Sequence, residues 1–324
     1  SPIGPFTNAK EIYLKNKNQI DPAVFVDDDG QAYYMWGQFQ GKIAKLKPNM
    51  TEIDTTTIVD NLVTEKEHFF HEGGYMVKRN GIYYFVYAHV GRKNMPTCIG
   101  YSTSKSPLGP FKYGGVIIDN DGCDPANWNN HGSIVEFKGQ WYVFYHRTTN
   151  GCVNSRKACI EPIYFNTDGS ITEVEMTSQG AGKPLDAFSK IQAEHACLLS
   201  GHVRVESYSF DTNNPLNPTN SDQLGQIEDK DRAMYKYIDF GEGVDSVSIR
   251  IAPGLNSGKI SFILDNSWSL PFAEIAVDGG GDGKTWKIFS CKVKRVNGIH
   301  ALNLTFSSTG SNTFNIDWFT FKHQ

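Results

Sequence analysis

Two acidic residues, and an asparagine followed by a histidine, lie at matching positions in three similar segments of this 324-residue chain. Asp21 and Glu72 each stand nine residues before a glycine that closes a turn, and Asn130 with the adjacent His131 stands at the same place in the third segment. Two carboxyl groups and an imidazole in one pocket suit the cleavage of a glycosidic bond. One carboxyl must stay protonated to donate to the leaving oxygen, and a neighbouring carboxylate keeps its pKa high by like-charge repulsion.

Three predicted β-hairpins must position these residues. In each hairpin a short strand, a turn that ends in glycine and an aromatic-rich strand follow one another, and the turn glycines are 51 and 58 residues apart. Asp-Gly and Asn-Gly turns favour hairpins, because type I′ turns need positive φ at both central residues. The hairpins cover residues 21–37, 72–88 and 130–146. Repeats of this kind are typical of β-propeller blades. Because the first strand of a blade lies nearest the axis, Asp21 and Glu72 are expected to converge at one face of the central channel.

The composition indicates a β-rich protein and excludes several classes of function. Aromatic residues make up 13% of the chain, charged residues 20%, and the formal net charge is −4. Such a chain is not disordered, and it lacks the basic field of a nucleic-acid-binding protein. No apolar run approaches the length of about 18 residues that a membrane-spanning helix needs. We therefore expect no nucleic-acid partner and no membrane partner.

The segments around these residues resemble glycoside hydrolase family 43, a family of five-bladed β-propellers that acts on arabinose- and xylose-containing polysaccharides. The resemblance covers about residues 1–175 and rests on IDPAVFVDDDG (20–30), FFHEGGYMVKRNGIYYFVYA (69–88), GYSTSKSPLGPF (100–111) and NHGSIVEFKGQWYVFYHR (130–147). It implies an all-β fold and an inverting glycosidase. The implied partner is a plant polysaccharide or oligosaccharide, such as arabinoxylan, arabinan or xylan. The expected location is secreted, extracellular or periplasmic.

This resemblance also assigns roles to individual residues. Glu72 matches the general acid, and Asp21 matches the carboxylate that orients this acid and raises its pKa. His131 matches a histidine near the central channel that is tied to an ion or a water molecule there. Arg156 matches an arginine that contacts the bound sugar. The proline that is usual in the motif of the acid is replaced by Gly74.

The general base of the family stands on a first blade that has no counterpart among the three hairpin units. We therefore expect the sequence to lack roughly 100 residues or more at its N-terminus, and a second polypeptide or a swapped copy is one source of the missing blades. Two functions stay open. One is a hydrolase of the α-L-arabinofuranosidase or β-xylosidase type, which releases arabinofuranosyl or xylosyl units. The other is a carbohydrate-binding protein whose partial propeller no longer catalyses.

A second domain is predicted over residues 186–324, after a partial propeller over residues 1–185. Short alternating strands with Gly and Asn turns favour a β-sandwich. These strands are predicted at residues 246–252, 259–264, 300–306 and 314–321. On the segments KIQAEHA (190–196), YKYIDFGEG (235–243) and FNIDWFTF (314–321), this domain resembles a family 6 carbohydrate-binding module, which is a jelly-roll sandwich.

The resemblance of the second domain implies a structural calcium ion. Gln192 and Glu194 stand two residues apart on a predicted strand and therefore share one face. Asp317 lies on the last strand, which pairs beside the first strand in this fold. Together with a group near Asp211, these oxygen ligands suit Ca²⁺.

The resemblance also implies a ligand cleft in which two aromatic rings sandwich a sugar beside an asparagine. Trp286 and Asn315 match the second aromatic residue and the asparagine. Arg232 stands where the first aromatic residue is expected. Another loop surface is therefore the alternative site for binding.

Overall fold

A computed structural model describes residues 3–14, 18–208, 221–311 and 313–323. The chain forms two compact units that do not divide it at a single point. The first unit contains residues 1–119, 129–145 and 162–174, and the second contains residues 120–128, 146–161 and 175–324. The domain boundary predicted near residue 185 stays a prediction. The all-β class is confirmed, and among the described residues no helix is long and apolar enough to span a membrane.

The first predicted hairpin opens a four-stranded antiparallel sheet in which neighbours in sequence are neighbours in space. Its strands are β1 (Ala23–Val26), β2 (Ala32–Trp36), β3 (Gln40–Lys45) and β4 (Val59–Thr64). The turn between β1 and β2 closes with the Gly30 N–H donating to the Asp27 carbonyl oxygen at 2.9 Å. Gly30 has a φ of 83°, which glycine adopts without steric cost. A 3₁₀ turn at Thr55–Thr57 precedes β4, and a single helical turn, α1 (Glu65–His68), follows it.

The second and third predicted hairpins are also present. The second belongs to a four-stranded sheet formed by β5 (Phe70–Arg79), β6 (Ile82–His89), β7 (Cys98–Ser104) and β8 (Lys112–Asp119). The third belongs to a three-stranded sheet formed by β9 (Ser133–Phe137), β10 (Gln140–Thr149) and β11 (Cys152–Ile163). Asn80 and Gly81 have φ of 50° and 71°, and Lys138 and Gly139 have φ of 52° and 81°. Both turns therefore have the two positive φ values that a type I′ hairpin requires.

Aromatic packing and one cluster of charged groups join the first two sheets. Tyr33, Phe70, Phe85 and Tyr87 belong to one cluster of side chains, each at most 8% exposed. At the turn of the first hairpin, Lys78 Nζ lies 2.7 Å from Asp27 Oδ1 and 2.9 Å from Asp28 Oδ2, and the Tyr83 hydroxyl donates to Asp27 Oδ2 at 2.6 Å. These contacts hold the end of β1, which follows Asp21, against β5, which contains Glu72.

Apolar side chains project into solvent from the first and third sheets. On β1, Val24 is 47% exposed and Val26 is 54% exposed. On β9 and β10, Val135, Phe137 and Phe144 are 41%, 61% and 43% exposed. Rows of this kind normally pack against another layer of structure. We call them the β1 row (Val24 and Val26) and the β9–β10 row (Val135, Phe137 and Phe144).

The second unit contains a β-sandwich with two six-stranded sheets, which confirms the predicted class of this domain. In one sheet β12 (Leu185–Asp186), β17 (Arg232–Asp239), β22 (Ile299–Ser308), β19 (Gly258–Leu264) and β20 (Ala273–Val277) lie in that order, and β14 (Leu198–Ser200) also pairs with β17. In the other, β15 (Arg204–Tyr208), β16 (Ser221–Gly225), β23 (Phe314–Lys322), β18 (Val244–Pro253) and β21 (Lys287–Val296) lie in that order, and β13 (Ile191–Gln192) also pairs with β23. The four strands predicted for this domain correspond to β18, β19, β22 and β23.

Candidate functional site

The first unit brings Asp21, Glu72 and His131 together, as the three matching positions predict. One ligand atom from each residue lies within 4.8 Å of the other two. Asp21 immediately precedes β1, Glu72 lies near the start of β5, and His131 lies just before β9. Each side chain therefore stands at the beginning of the first strand of its sheet, and three repeats separated in sequence meet at one point.

Local irregularity of β5 aims Glu72 at this point. The pairing of β5 with β6 shifts register on both sides of Glu72, and Gly73 has a φ of 66°. A Cβ atom at Gly73 would lie 2.8 Å from His131 Nδ1, so a side chain there would collide with the imidazole. Gly73 is thus required both by its backbone conformation and by the close approach of His131.

Both oxygen atoms of Glu72 accept a hydrogen bond. His131 Nε2 donates to Oε1 at 2.8 Å, and Gln38 Nε2 donates to Oε2 at 2.8 Å. The Glu72 side chain is 12% exposed, so these bonds form in a largely desolvated setting. Gln38 was not a predicted site residue. Its place near the site follows from the hairpin, because the turn after β2 lies beside the start of β1. There the Gly37 N–H donates to the Ile20 carbonyl oxygen at 3.0 Å.

The pKa values of the two carboxyl groups shift in opposite directions. Burial raises the pKa of Asp21; His131 opposes this rise, and the negative charge of Glu72 adds to it. The hydrogen bond from His131 is the largest influence on the pKa of Glu72 and lowers it, against the effect of burial. The role predicted for Asp21, to raise the pKa of Glu72, stays a prediction, whereas the net shift of that pKa is downward. The physical reason is that Glu72 faces a donated imidazole hydrogen bond, whereas Asp21 Oδ2 is buried without a hydrogen-bond partner.

The short separation of the two carboxyl groups limits what they can do. Inverting glycosidases hold acid and base about 6.5–9.5 Å apart, because the sugar and the attacking water lie between them. The ligand atoms of Asp21 and Glu72 lie within 4.8 Å of each other. A separation this short does not fit the acid and base of an inverting pair, so Asp21 is not placed to be the base for Glu72. The donor set of two carboxylates and one imidazole also suits a cation, and the ion predicted near His131 stays a prediction.

Arg156 belongs to the second unit. It lies on β11, where its side chain is exposed and its Nε donates to the Val153 carbonyl oxygen at 3.4 Å. Its predicted role in sugar contact stays a prediction.

The sugar cleft predicted in the sandwich is not assembled as expected. Asn315 Nδ2 donates to the Gly283 carbonyl oxygen at 2.9 Å and lines a cavity of about 380 Å³ with Glu206, Gln226 and Asp282. Trp286 does not line this cavity, because its ring lies under the Arg250 guanidinium, 5.0 Å from the ring centre.

Arg232, which stands at the start of β17, is also absent from the lining of the Asn315 cavity. Its Nη1 donates instead to Ser267 Oγ at 3.2 Å. The predicted substrate contacts of Trp286 and Asn315 stay predictions, and the two side chains do not share the cavity.

The calcium site predicted in the sandwich stays a prediction, and the structure shows the surroundings of three of its four residues. Glu194 Oε2 is buried without a hydrogen-bond partner, and burial raises the pKa of Glu194 to about 7, with Asp222 and Asp317 adding to the rise. The buried Asp317 pairs with the guanidinium of Arg250. Gln192 ends β13, where it pairs with Trp318 beside Asp317. Asp211 lies outside the described residues.

One detail of this predicted site is corrected. Gln192 and Glu194 do not alternate along one strand, because β13 ends at Gln192 and a 3₁₀ turn covers Ala193–His195. The turn, rather than the pleat of a strand, sets the direction of the Glu194 side chain.

Comparison with known proteins finds a matching family for each part of the chain. The model of glycosyl hydrolases family 43 matches residues 1–171, and the model of carbohydrate binding module (family 6) matches residues 201–323. A xylosidase/arabinosidase of Thermoclostridium stercorarium is 34% identical over 90% of this chain and 68% of its own length. An arabinoxylan arabinofuranohydrolase of Bacillus subtilis is 31% identical over 100% of this chain and 69% of its own length.

A solved structure aligns with the whole length of this chain. The glycoside hydrolase family 43 arabinoxylan arabinofuranohydrolase from Bacillus subtilis, crystallised in complex with cellotetraose, aligns with 100% of this chain and 73% of its own chain. The TM-score is 0.51 and the sequence identity is 29%.

Proposed function

We propose, because this chain belongs to glycosyl hydrolases family 43, that it is a glycosidase that releases arabinofuranosyl or xylosyl units from plant cell-wall arabinoxylan. The observation that carries the proposal is the convergence of Asp21, Glu72 and His131 from three repeated strands. In this proposal Glu72 protonates the leaving oxygen, and Asp21 orients Glu72 from the same side of the sugar. Because its polymeric substrate is found outside cells, we propose a secreted, extracellular or periplasmic location.

Because the pKa of Glu72 is lowered, this carboxyl group has to gain its proton when the substrate binds. The hydrogen bond from His131 is what chiefly lowers the pKa of Glu72. A sugar oxygen that approaches Oε1 competes with His131 for this atom, and loss of that bond raises the pKa of Glu72. Gln38 holds Oε2 at 2.8 Å and keeps the carboxyl group in place while its other oxygen faces the leaving group.

We further propose that additional blades cover the β1 row and the β9–β10 row and supply the general base. A further part of the same protein, a second polypeptide or a second copy of this chain is the proposed source. The support is the exposure of five large apolar side chains, between 41% and 61%, on β1, β9 and β10. The second support is the close approach of Asp21 and Glu72, which leaves the opposite side of the sugar without a base from this pair.

One assay tests the glycosidase and the need for further blades together. The chain is incubated with wheat arabinoxylan and with nitrophenyl arabinofuranoside and xyloside, while its association state is followed by light scattering. If a second copy completes the site, turnover per chain rises with chain concentration, and Val26→Asp, which places a charge in the β1 row, lowers it. Proton NMR should show inverted product anomers.

The possible outcomes separate the proposals. Full turnover by a verified monomer overturns the requirement for further blades and leaves the glycosidase in place. Retention on arabinoxylan without turnover, at any concentration and with any added partner, favours the non-catalytic binding protein instead.

We propose that the second unit binds a structural Ca²⁺ through Gln192, Glu194 and Asp317. The support is the buried Glu194 oxygen without a partner and the two further acids that raise its pKa. Oxygen ligands of this kind are those that Ca²⁺ prefers, and the ion would supply charge balance to the cluster.

Removal of calcium is expected to destabilise the sandwich. A ligand at about 100 times its dissociation constant stabilises a fold by about 2.7 kcal/mol, which corresponds to roughly 5–10 °C in melting temperature. Calorimetry of the chain in excess calcium and in excess chelator measures this difference. Glu194→Gln should abolish the calcium-dependent part of the shift. Identical melting curves with calcium and with chelator would remove the calcium proposal.

A further inference from the structure

The described part of the Asn315 cavity offers a sugar ring no exposed aromatic side chain to stack on. Among the described residues that line it, Phe314 is the one aromatic residue, and it is 2% exposed. Apart from Leu255, the other described walls are polar or glycine, including Gln226 and Gly283. Aromatic side chains supply a large contact area at low entropic cost. A binding surface without them lacks the side chains that contribute most to affinity. Exposed aromatic rings elsewhere on the sandwich are therefore the better candidates for sugar stacking.

The loop between β19 and β20 presents a tryptophan to solvent. In this loop Trp268 is 82% exposed and Leu270 is 84% exposed, although both are large apolar side chains. Both ends of the loop are fastened. The Asp265 N–H donates to the Ala301 carbonyl oxygen at 2.8 Å, and the Phe272 N–H donates to the Phe262 carbonyl oxygen at 3.0 Å. The tip is therefore presented by a fixed base, which lowers the entropic cost of binding.

Hydrogen-bonding groups flank this exposed ring. Arg232 Nη1 donates to Ser267 Oγ at 3.2 Å, so the guanidinium lies beside the residue that precedes Trp268. Arg232 is exposed at the start of β17, where it pairs across the sheet with Thr305. A guanidinium has five N–H donors, and one contact to Ser267 leaves others directed at solvent. The loop thus combines an apolar platform with a donor for hydroxyl oxygen atoms.

We propose that Trp268, Leu270 and Arg232 form a carbohydrate-binding surface for a β-1,4-linked pyranoside chain of the xylan type. The faces of such pyranose rings carry C–H groups that pack on an indole, while their equatorial hydroxyl groups accept hydrogen bonds from Arg232. The inference rests on the proposed function, which makes arabinoxylan the polymer that this chain meets. A protein partner at this loop is the competing occupant, and it would not need a sugar.

The test is the binding of xylohexaose by the full chain, measured by titration calorimetry and by tryptophan fluorescence. Trp268→Ala is expected to weaken binding about fivefold or more, the loss typical of a truncated tryptophan anchor, and to abolish the fluorescence change. Trp268→Phe should retain most of the affinity because it keeps a ring. Ile288→Ala removes a side chain that is 63% exposed on β21 and should change neither readout.

The outcomes are distinct from those of the hydrolysis assay. Equal affinity of Trp268→Ala and the wild-type chain overturns the surface, as does a wild-type chain that does not bind xylohexaose. Either result can coexist with release of sugars from arabinoxylan, so the glycosidase is judged separately. Because Trp268 is 82% exposed, its variants should fold normally, and unchanged melting curves would verify this.

Discussion

Replacement of Glu72 by Gln is expected to lower kcat/KM for natural arabinoxylan oligosaccharides by about 10²–10⁴-fold. Gln keeps the shape of the side chain and its hydrogen bond to Gln38 or His131, but it has no proton to give to a leaving sugar oxygen. A nitrophenyl glycoside should lose far less, because its leaving group departs without protonation. Rates on the two kinds of substrate, measured on whichever assembly of the chain is active, test the assignment.

Asp21→Asn is the matched control for this experiment. Asp21 acts through Glu72 in the proposed mechanism, so its substitution should slow both kinds of substrate to a similar degree. The opposite pattern, with the leaving-group effect in Asp21→Asn, would place the acid on Asp21, the carboxyl group whose pKa is raised by burial. Equal loss on both substrates in Glu72→Gln would contradict the role of Glu72.

Asp231→Ala is expected to destabilise the sandwich by about 3 kcal/mol or more, because each buried donor left without an acceptor costs roughly 1–3 kcal/mol. The carboxylate is 2% exposed and accepts three backbone hydrogen bonds. The donors are the N–H groups of His202, Val203 and Glu228, at 2.9, 2.8 and 2.9 Å. Thermal unfolding should show a fall in melting temperature of roughly 10 °C for this unit.

Asp229→Ala is the matched control, two residues away. Asp229 is exposed and accepts one long bond, from the Ser308 N–H at 3.3 Å, so its loss should change the free energy of unfolding by no more than about 0.5 kcal/mol. If the two variants have the same melting temperature, the three hydrogen bonds to Asp231 do not stabilise the loops that they connect.

The hairpins and their meeting point were predictable because their signals are local and repeated. The glycines at 30, 81 and 139 mark turns within a few residues, and equal offsets from them place Asp21, Glu72 and Asn130 at equivalent strand ends, with His131 next to Asn130. The electrostatics of Glu72 was not predictable in this way. It depends on which atom His131 faces and on Gln38, and both contacts form only when separate sheets pack.

In the sandwich, the surroundings of two residues were likewise not predictable from the sequence. The alternation of apolar and polar residues predicts the strands of this unit. Glu194, however, lies in a 3₁₀ turn that no strong sequence signal marks. Trp286 matches the position of a sugar-binding aromatic, yet Arg250 on a neighbouring strand covers its ring. Sequence position identifies the strand of a residue, whereas its neighbours across the sheet decide which groups it meets.

The pairing of β23 implies an order of events during folding. The three sheets of the hairpin repeats each join strands that are consecutive in sequence, so they close over short loops as soon as their own residues exist. β23, by contrast, pairs with β13, β16 and β18, and Ile191 stands opposite Phe319. That sheet cannot complete before its last strand has been synthesised, so the sandwich has to fold after the hairpin repeats on the ribosome, with its apolar strands exposed until then.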